Sequence, residues 1–254
     1  MNHIDTPHGI INAASQRFFG ALGENASEVA NRINTEPAFL AQLAAFATNG
    51  GFQPSTSQQK AREIMGAGMF GVEDAIKHFG VNPSKTQLAA LAEVPFTEEA
   101  LAECKDTHVL FAVFPLSILD IRAQVKGEPS RLFYDQTWYN KEAFAKDRGE
   151  IGWYLIRKTP VENSTSKSWD EQQALLSTDD ETPKAQAMVY AIIGHYKATG
   201  ERLFEKIWVR CSDRDSDGYR VHVGLFDAEG LDVSNFWDDG RDDDLGLSSA
   251  RKSS

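Results

Sequence analysis

The sequence has little of several features that define large classes of protein. Its two cysteines, Cys104 and Cys211, lie more than a hundred residues apart, which excludes a disulfide framework and a zinc site of the usual spacing. The longest apolar run, 109–119, is short and interrupted by Pro115, so no membrane span is predicted. No basic stretch precedes an apolar segment near the N-terminus, and we therefore expect no signal peptide and a cytoplasmic location.

Positive charge is also scarce. The 254 residues include 26 Lys and Arg against 37 Asp and Glu, which gives a formal net charge of −11. Such a chain is repelled by phosphate backbones and by anionic lipid, so neither nucleic acid nor a membrane is expected as a partner. The hydrophobic fraction of 41% and the charged fraction of 25% are typical of a folded protein.

Helical periodicity dominates the N-terminal region. Apolar residues recur at helical spacing over 10–47 and again over 60–79. Ser84 stands three residues before Gln87, the spacing of a capping box that opens a further helix. The sequence therefore predicts a helical N-terminal region over residues 1–105.

Residues 106–254 have a mixed pattern. Strands are predicted at 108–114 and 149–158, and a helix over 170–176 after a capping box. A longer amphipathic helix is predicted to begin at Pro183, after Thr182 as its N-cap, and to be ended by Gly200. The predicted fold class is α+β, with the domain boundary near residue 105.

Strands follow to the end of the chain. Val221 and Val223 alternate with polar residues, which predicts a strand with the valines in the core and His222 on the exposed face. Turns at Gly218 and Gly230 predict hairpins. Further short strands are predicted at 207–211, 231–233 and 245–250.

A first candidate site lies in the turn that carries Asp213, Asp215 and Asp217 before Gly218. Alternating carboxylates of this kind begin a calcium-binding loop, and calcium would be its cofactor. The closing glutamate of an EF-hand would fall at position 224, which is glycine. The alternative is a solvated hairpin turn, in which Asp and Gly are favoured for backbone reasons.

A second candidate site is the segment around Trp237, where five aspartates occupy the next seven positions. It is interpreted either as an exposed acidic loop or as a recognition loop with Phe236 and Trp237 as apolar anchors. No catalytic constellation is found: Cys104 near His108 lacks an orienting group, and the six histidines have no metal-ligand spacing.

The order strand, helix, long helix and several short strands, with the ending DDDLGLSSAR over 242–251, resembles the C-type-lectin-like variable proteins of diversity-generating retroelements. The likeness covers roughly the last hundred residues. In that family the C-terminal strands and loops carry a mutable ligand-binding surface. The chain departs from the pattern by continuing to Ser254 and by having a more acidic loop.

The resemblance implies a C-type-lectin-like domain with a small antiparallel sheet over 106–254 and a variable region near 219–251. Mutation of asparagine-type codons in that family yields Asn, Asp, Ser, Gly, Tyr, His and Arg, and most of the implied ligand-binding residues belong to this set. The implied residues are His222, Ser234, Asn235, Phe236, Trp237, Asp238, Asp239, Gly240, Arg241, Asp242, Asp243 and Asp244.

The favoured function is therefore a ligand-binding, receptor-like protein without catalytic residues, whose partner is a protein or a carbohydrate. One alternative is a calcium-dependent carbohydrate-binding or structural module that uses Asp213, Asp215 and Asp217. The other, less favoured, is an enzyme of unrecognised type.

Overall fold

The computed structural model describes residues 8–37, 39–40, 43, 55–127 and 131–253. The chain divides into two compact units between residues 53 and 54. The boundary predicted near residue 105 is therefore not where the units separate. Residues after 54 belong to the larger core because Phe70 packs against the rings of Phe111 and Tyr190, with centroids 5.7 and 6.0 Å away.

The described part of the first unit is helical, as predicted. Helix α1 (His8–Leu22) leads through a 3₁₀ turn (Gly23–Asn25) into helix α2 (Ala26–Thr35). Most of the remainder of the predicted helical stretch 10–47 lies outside the described residues.

The helices of the second unit are short, with one exception. They are α3 (Gln58–Met65), α4 (Val72–Phe79), α5 (Lys85–Ala90), α6 (Glu98–Cys104), α7 (Ile118–Gln124), α8 (Ala143–Lys146), α9 (Trp169–Gln173) and α10 (Ala185–Thr199). The predicted capping boxes at Ser84 and Ser168 are confirmed, because each hydroxyl accepts a backbone N–H three residues later. No helix in the described residues is both long and apolar enough to cross a membrane.

Helix α10 lies in the centre of the second unit. Its first eleven residues, 185–195, are all buried, so neighbouring elements cover it on every side. The predicted N-cap at Thr182, ahead of a helix starting at Pro183, is wrong. The helix begins at Ala185, whose N–H is accepted by the carboxylate of Asp213 at 2.6 Å, and this distant side chain replaces the local cap. The predicted end at Gly200 is confirmed by its left-handed backbone.

A five-stranded sheet packs against this helix. Its order is β2 (Met69–Phe70), β4 (His108–Val113), β5 (Gly152–Arg157), β11 (Ala250–Arg251) and β6 (Asp180–Glu181). Strand β2 interrupts the helix predicted over 60–79, because Gly66 adopts φ 54° after α3 and the chain then pairs in parallel with β4. A separate two-stranded pair joins β1 (Thr56–Ser57) to β3 (Glu93–Val94).

The second sheet has four strands in the order β10 (Leu245–Leu247), β7 (Trp208–Arg214), β8 (Arg220–Asp227) and β9 (Gly230–Phe236). The hairpins β7–β8 and β8–β9 are antiparallel, and β10 pairs in parallel with β7. Val209, Val221 and Val223 are fully buried and give this sheet its inner face. The fold is α+β.

Candidate ligand-binding surface

The outer face of the four-stranded sheet is covered by a second layer of chain. This layer contains the acidic loop, defined as residues 237–244, and the segment 160–173. Their backbones are joined by hydrogen bonds from Trp169 N–H to the carbonyl of Asp238 at 2.8 Å and from Ser166 N–H to that of Asp242 at 2.7 Å. A third bond, from Trp208 N–H to the carbonyl of Asp244 at 2.9 Å, joins the loop to β7.

Arg210 holds this layer from beneath. Its side chain is fully buried on the outer face of β7, where burial lowers its pKa. The guanidinium donates to the carbonyls of Gly240 at 2.8 Å and Trp237 at 3.2 Å, both in the acidic loop. It also donates to the carbonyl of Lys167 and to Oε1 of Gln172, each at 3.0 Å. Arg210 therefore fixes the loop through main-chain atoms, without contacting its exposed side chains.

Asp238 is a structural member of the loop. Its carboxylate pairs with Arg214 and with Arg220, whose Nε lies 3.3 Å from Oδ1. The buried Arg220 guanidinium lies 3.7 Å from the ring centroid of Trp169 and donates to the carbonyl of Ser212 at 2.7 Å. The Asp238 side chain, predicted as a ligand contact, is therefore engaged within the protein.

Gly240 and the two aromatic residues form the base of the loop. Gly240 is buried, and a Cβ at this position would overlap the Phe236 ring. The Phe236 ring stacks on Trp237 with centroids 4.3 Å apart and planes 23° from parallel. Phe236 covers one face of the indole, while 55% of Trp237 remains exposed. The stack holds the exposed indole in a fixed orientation.

The predicted exposure of His222 is wrong. It lies opposite Arg210 and Ser234 in the sheet register, on the face that the second layer covers, and it is buried. Its ring packs edge-on against Trp208 with centroids 5.7 Å apart, and its Nδ1 has no hydrogen-bond partner. Burial, followed by the nearby Arg210 charge, lowers its pKa to about 3.

Besides Trp237, the exposed side chains of the loop are Asp239, Arg241, Asp242 and Asp243. Arg241 pairs with Glu171 at 3.0 Å, and this hydrogen bond is the main reason that the pKa of Glu171 falls to about 2. Ser234 and Asn235 precede the loop on β9 and are half-buried, with the Asn235 amide bonded to Asp215.

The last three aspartates of the loop are crowded together. One carboxylate oxygen from each of Asp242, Asp243 and Asp244 lies within 4.8 Å of the others, the only such group of three found in the described residues. Burial raises the pKa of Asp244, and the adjacent Asp242 raises it further. The chain brings like charges together at the edge of the second layer.

The structure does not bring Asp213, Asp215 and Asp217 together in this way. Asp213 accepts the first N–H of α10, and burial raises its pKa. Oδ1 of Asp215 accepts the N–H groups of Asp217 and Tyr219 at 3.0 and 2.8 Å, the pattern of a hairpin turn. The three carboxylates of the proposed calcium loop thus have separate surroundings, and two of them cap backbone N–H groups.

Sequence reasoning missed Arg210 and Arg220. Their positions in the alternation of β7 and β8 place them opposite the valine face, where charged residues are normally solvated. The only sequence signal was two arginines on adjacent strands ahead of an acidic loop, and it did not indicate burial.

Comparisons with models of known protein families, with curated proteins and with solved structures give no match to this chain.

Proposed function

We propose that this chain is a ligand-binding, receptor-like protein in which a lectin-like domain presents the acidic loop to its ligand. The observation that carries the proposal is the separation of roles within the loop. Arg210 holds the carbonyls of Trp237 and Gly240, while Asp239, Asp242 and Asp243 project outward without ion-pair partners. Side chains at the exposed positions can therefore change while the loop keeps its backbone path.

The order of elements supports the lectin-like part of the proposal. Strand β5 is followed by α9, by the two-residue strand β6, by the long helix α10 and then by the short strands of the four-stranded sheet. The last strand, β11, pairs with β5. The four-stranded sheet and its loops therefore lie, along the sequence, between two strands that are neighbours in the five-stranded sheet. This is the order on which the resemblance to the variable proteins rests.

A randomised library tests the proposal. Codons 239, 241, 242 and 243 are randomised together in the full chain, and a matched library randomises the structural positions 210, 220, 238 and 240. Both libraries are displayed on yeast and sorted for resistance to protease. We expect most members of the first library to fold and most of the second to be cleaved. Similar losses in both libraries would contradict the proposal, because the exposed side chains would then be needed for folding.

The flanking DNA gives an independent test. If the loop is diversified as in the variable proteins, a near-copy of the 3′ coding end with asparagine-type codons should lie beside a reverse transcriptase gene. If neither the near-copy nor the reverse transcriptase gene is found, the retroelement part of the proposal is rejected, and the proposal of a ligand-binding loop stands without it.

A further inference from the structure

Uncompensated negative charge distinguishes the acidic loop from the other charged groups around it. The Asp238 carboxylate forms ion pairs with Arg214 and Arg220, and Arg241 forms an ion pair with Glu171. By contrast, the structure gives no ion pair to Asp239, Asp242, Asp243 or Asp244, all of which are described residues. The outward face of the loop thus carries the exposed carboxylates of Asp239, Asp242 and Asp243, none of which forms an intramolecular ion pair, and the half-buried Asp244 lies beside them.

An exposed aromatic side chain begins the loop that carries these carboxylates. The Trp237 indole stacks on the Phe236 ring, and 55% of Trp237 remains exposed. Exposed aromatic side chains of this size are typical of binding surfaces, and a fixed indole loses little conformational freedom when a ligand covers it.

We propose that this surface binds a positively charged protein segment, with an arginine side chain placed over Trp237 and among the loop carboxylates. The inference rests on the proposed function and names the chemistry of its ligand. A neutral ligand would remove water from the three exposed carboxylates without neutralising their charge, which is unfavourable. A guanidinium supplies the missing charge, donates to a carboxylate through two parallel N–H groups and stacks on an indole face.

Three peptides and three variants test this inference in the full chain. The peptides are tetra-arginine, tetra-lysine and tetra-citrulline, the last being the neutral isostere of the first. The loop variant carries Asp239→Asn, Asp242→Asn and Asp243→Asn. The control variant removes the same charge from exposed positions outside the loop and outside the segment 160–173, by Glu103→Gln, Glu181→Gln and Glu205→Gln. The third variant is Trp237→Ala. Binding is measured by calorimetry at low and moderate salt, after each variant is shown to keep the wild-type urea midpoint.

We expect tetra-arginine to bind best, tetra-lysine more weakly and tetra-citrulline not detectably. The loop variant should lose roughly tenfold in affinity for tetra-arginine, the loss expected for one charge-assisted contact. The control variant should lose less than about twofold, because distant exposed charges are screened. Trp237→Ala should reduce the preference for arginine over lysine.

The inference is overturned if tetra-arginine does not bind, or if the loop and control variants lose affinity equally, which would indicate general attraction to an acidic protein. Equal binding of tetra-citrulline or of a neutral oligosaccharide would also overturn it. So would millimolar calcium that binds the loop and displaces tetra-arginine, since the loop would then be an ion site. If most members of the loop library fold but tetra-arginine does not bind, this inference alone is rejected. If most members of the loop library do not fold, the proposed function is rejected.

Discussion

Replacement of Arg210 is the sharpest test of how the acidic loop is held. Arg210→Met keeps an unbranched apolar side chain of similar reach but removes four hydrogen bonds, two of them to loop carbonyls at 2.8 and 3.2 Å. The loop carbonyls can regain water if the loop moves, whereas Oε1 of the buried Gln172 cannot. Each buried acceptor left without a donor costs about 1–3 kcal/mol, so we expect Arg210→Met to lower the free energy of unfolding by about 3–5 kcal/mol.

Two comparisons make this expectation specific. Arg214→Met removes an arginine from the same strand, but one whose side chain is 47% exposed, and should cost less than about 1 kcal/mol. The triple Asn variant at Asp239, Asp242 and Asp243 should change stability by no more than about 0.5 kcal/mol per site. The measurement is the urea midpoint at constant slope. The reasoning is refuted if Arg210→Met unfolds at the wild-type midpoint, or if the triple Asn variant is the less stable of the two.

Three further outcomes are expected. His222, with its pKa lowered to about 3, binds its proton more readily in the unfolded chain, so stability should be level above about pH 6.5 and fall as the pH drops. By pH 4.5 the protonation of His222 in the unfolded chain should lower the free energy of unfolding by about 3 kcal/mol, and His222→Gln should flatten this part of a urea-midpoint profile. Asp213→Ala should lower the free energy of unfolding by about 1–2 kcal/mol, because it removes the cap on Ala185. Thermal melts should show the same loss of stability with and without calcium, whereas a calcium site would show the loss only when the ion is present. Gly240→Ala should displace the Phe236 ring and cost about 1–3 kcal/mol, seen as a lower urea midpoint and a changed Trp fluorescence; an unchanged midpoint would contradict the described packing.

The elements that could be predicted from the sequence are those with local causes. The hydroxyls of Ser84 and Ser168 bond to N–H groups three residues away, and Gly200 ends a helix through its own backbone. The alternation around Val223 identifies a strand and its buried face without reference to any other part of the chain. Signals of this kind act within one turn or one strand and survive in the sequence pattern.

The elements that could not be predicted depend on distant parts of the chain. His222 is buried because the segment 160–173 and the acidic loop lie over a face that the local pattern marks as exposed. The spacing of Asp213 and Asp215 resembles that of a metal-binding loop. The Asp213 carboxylate, however, caps a helix that begins 28 residues earlier in the chain, and local spacing cannot indicate that contact. Strand alternation gives the two faces of a sheet but not the number of layers that cover them.

The hydrogen bonds from Arg210 to the loop carbonyls have a consequence for the rate at which a ligand would associate with the loop. Because Arg210 holds the carbonyls of Trp237 and Gly240 in the absence of any ligand, a loop with the proposed function would meet its ligand already in one shape. Most of the entropy of ordering this segment is lost when the chain folds, and little remains to oppose association. Variants with different side chains on such a loop should then associate with their ligands at similar rates and differ mainly in the lifetimes of their complexes. A loop that exchanges its side chains in this way would alter the lifetime of a complex more than the speed of finding it.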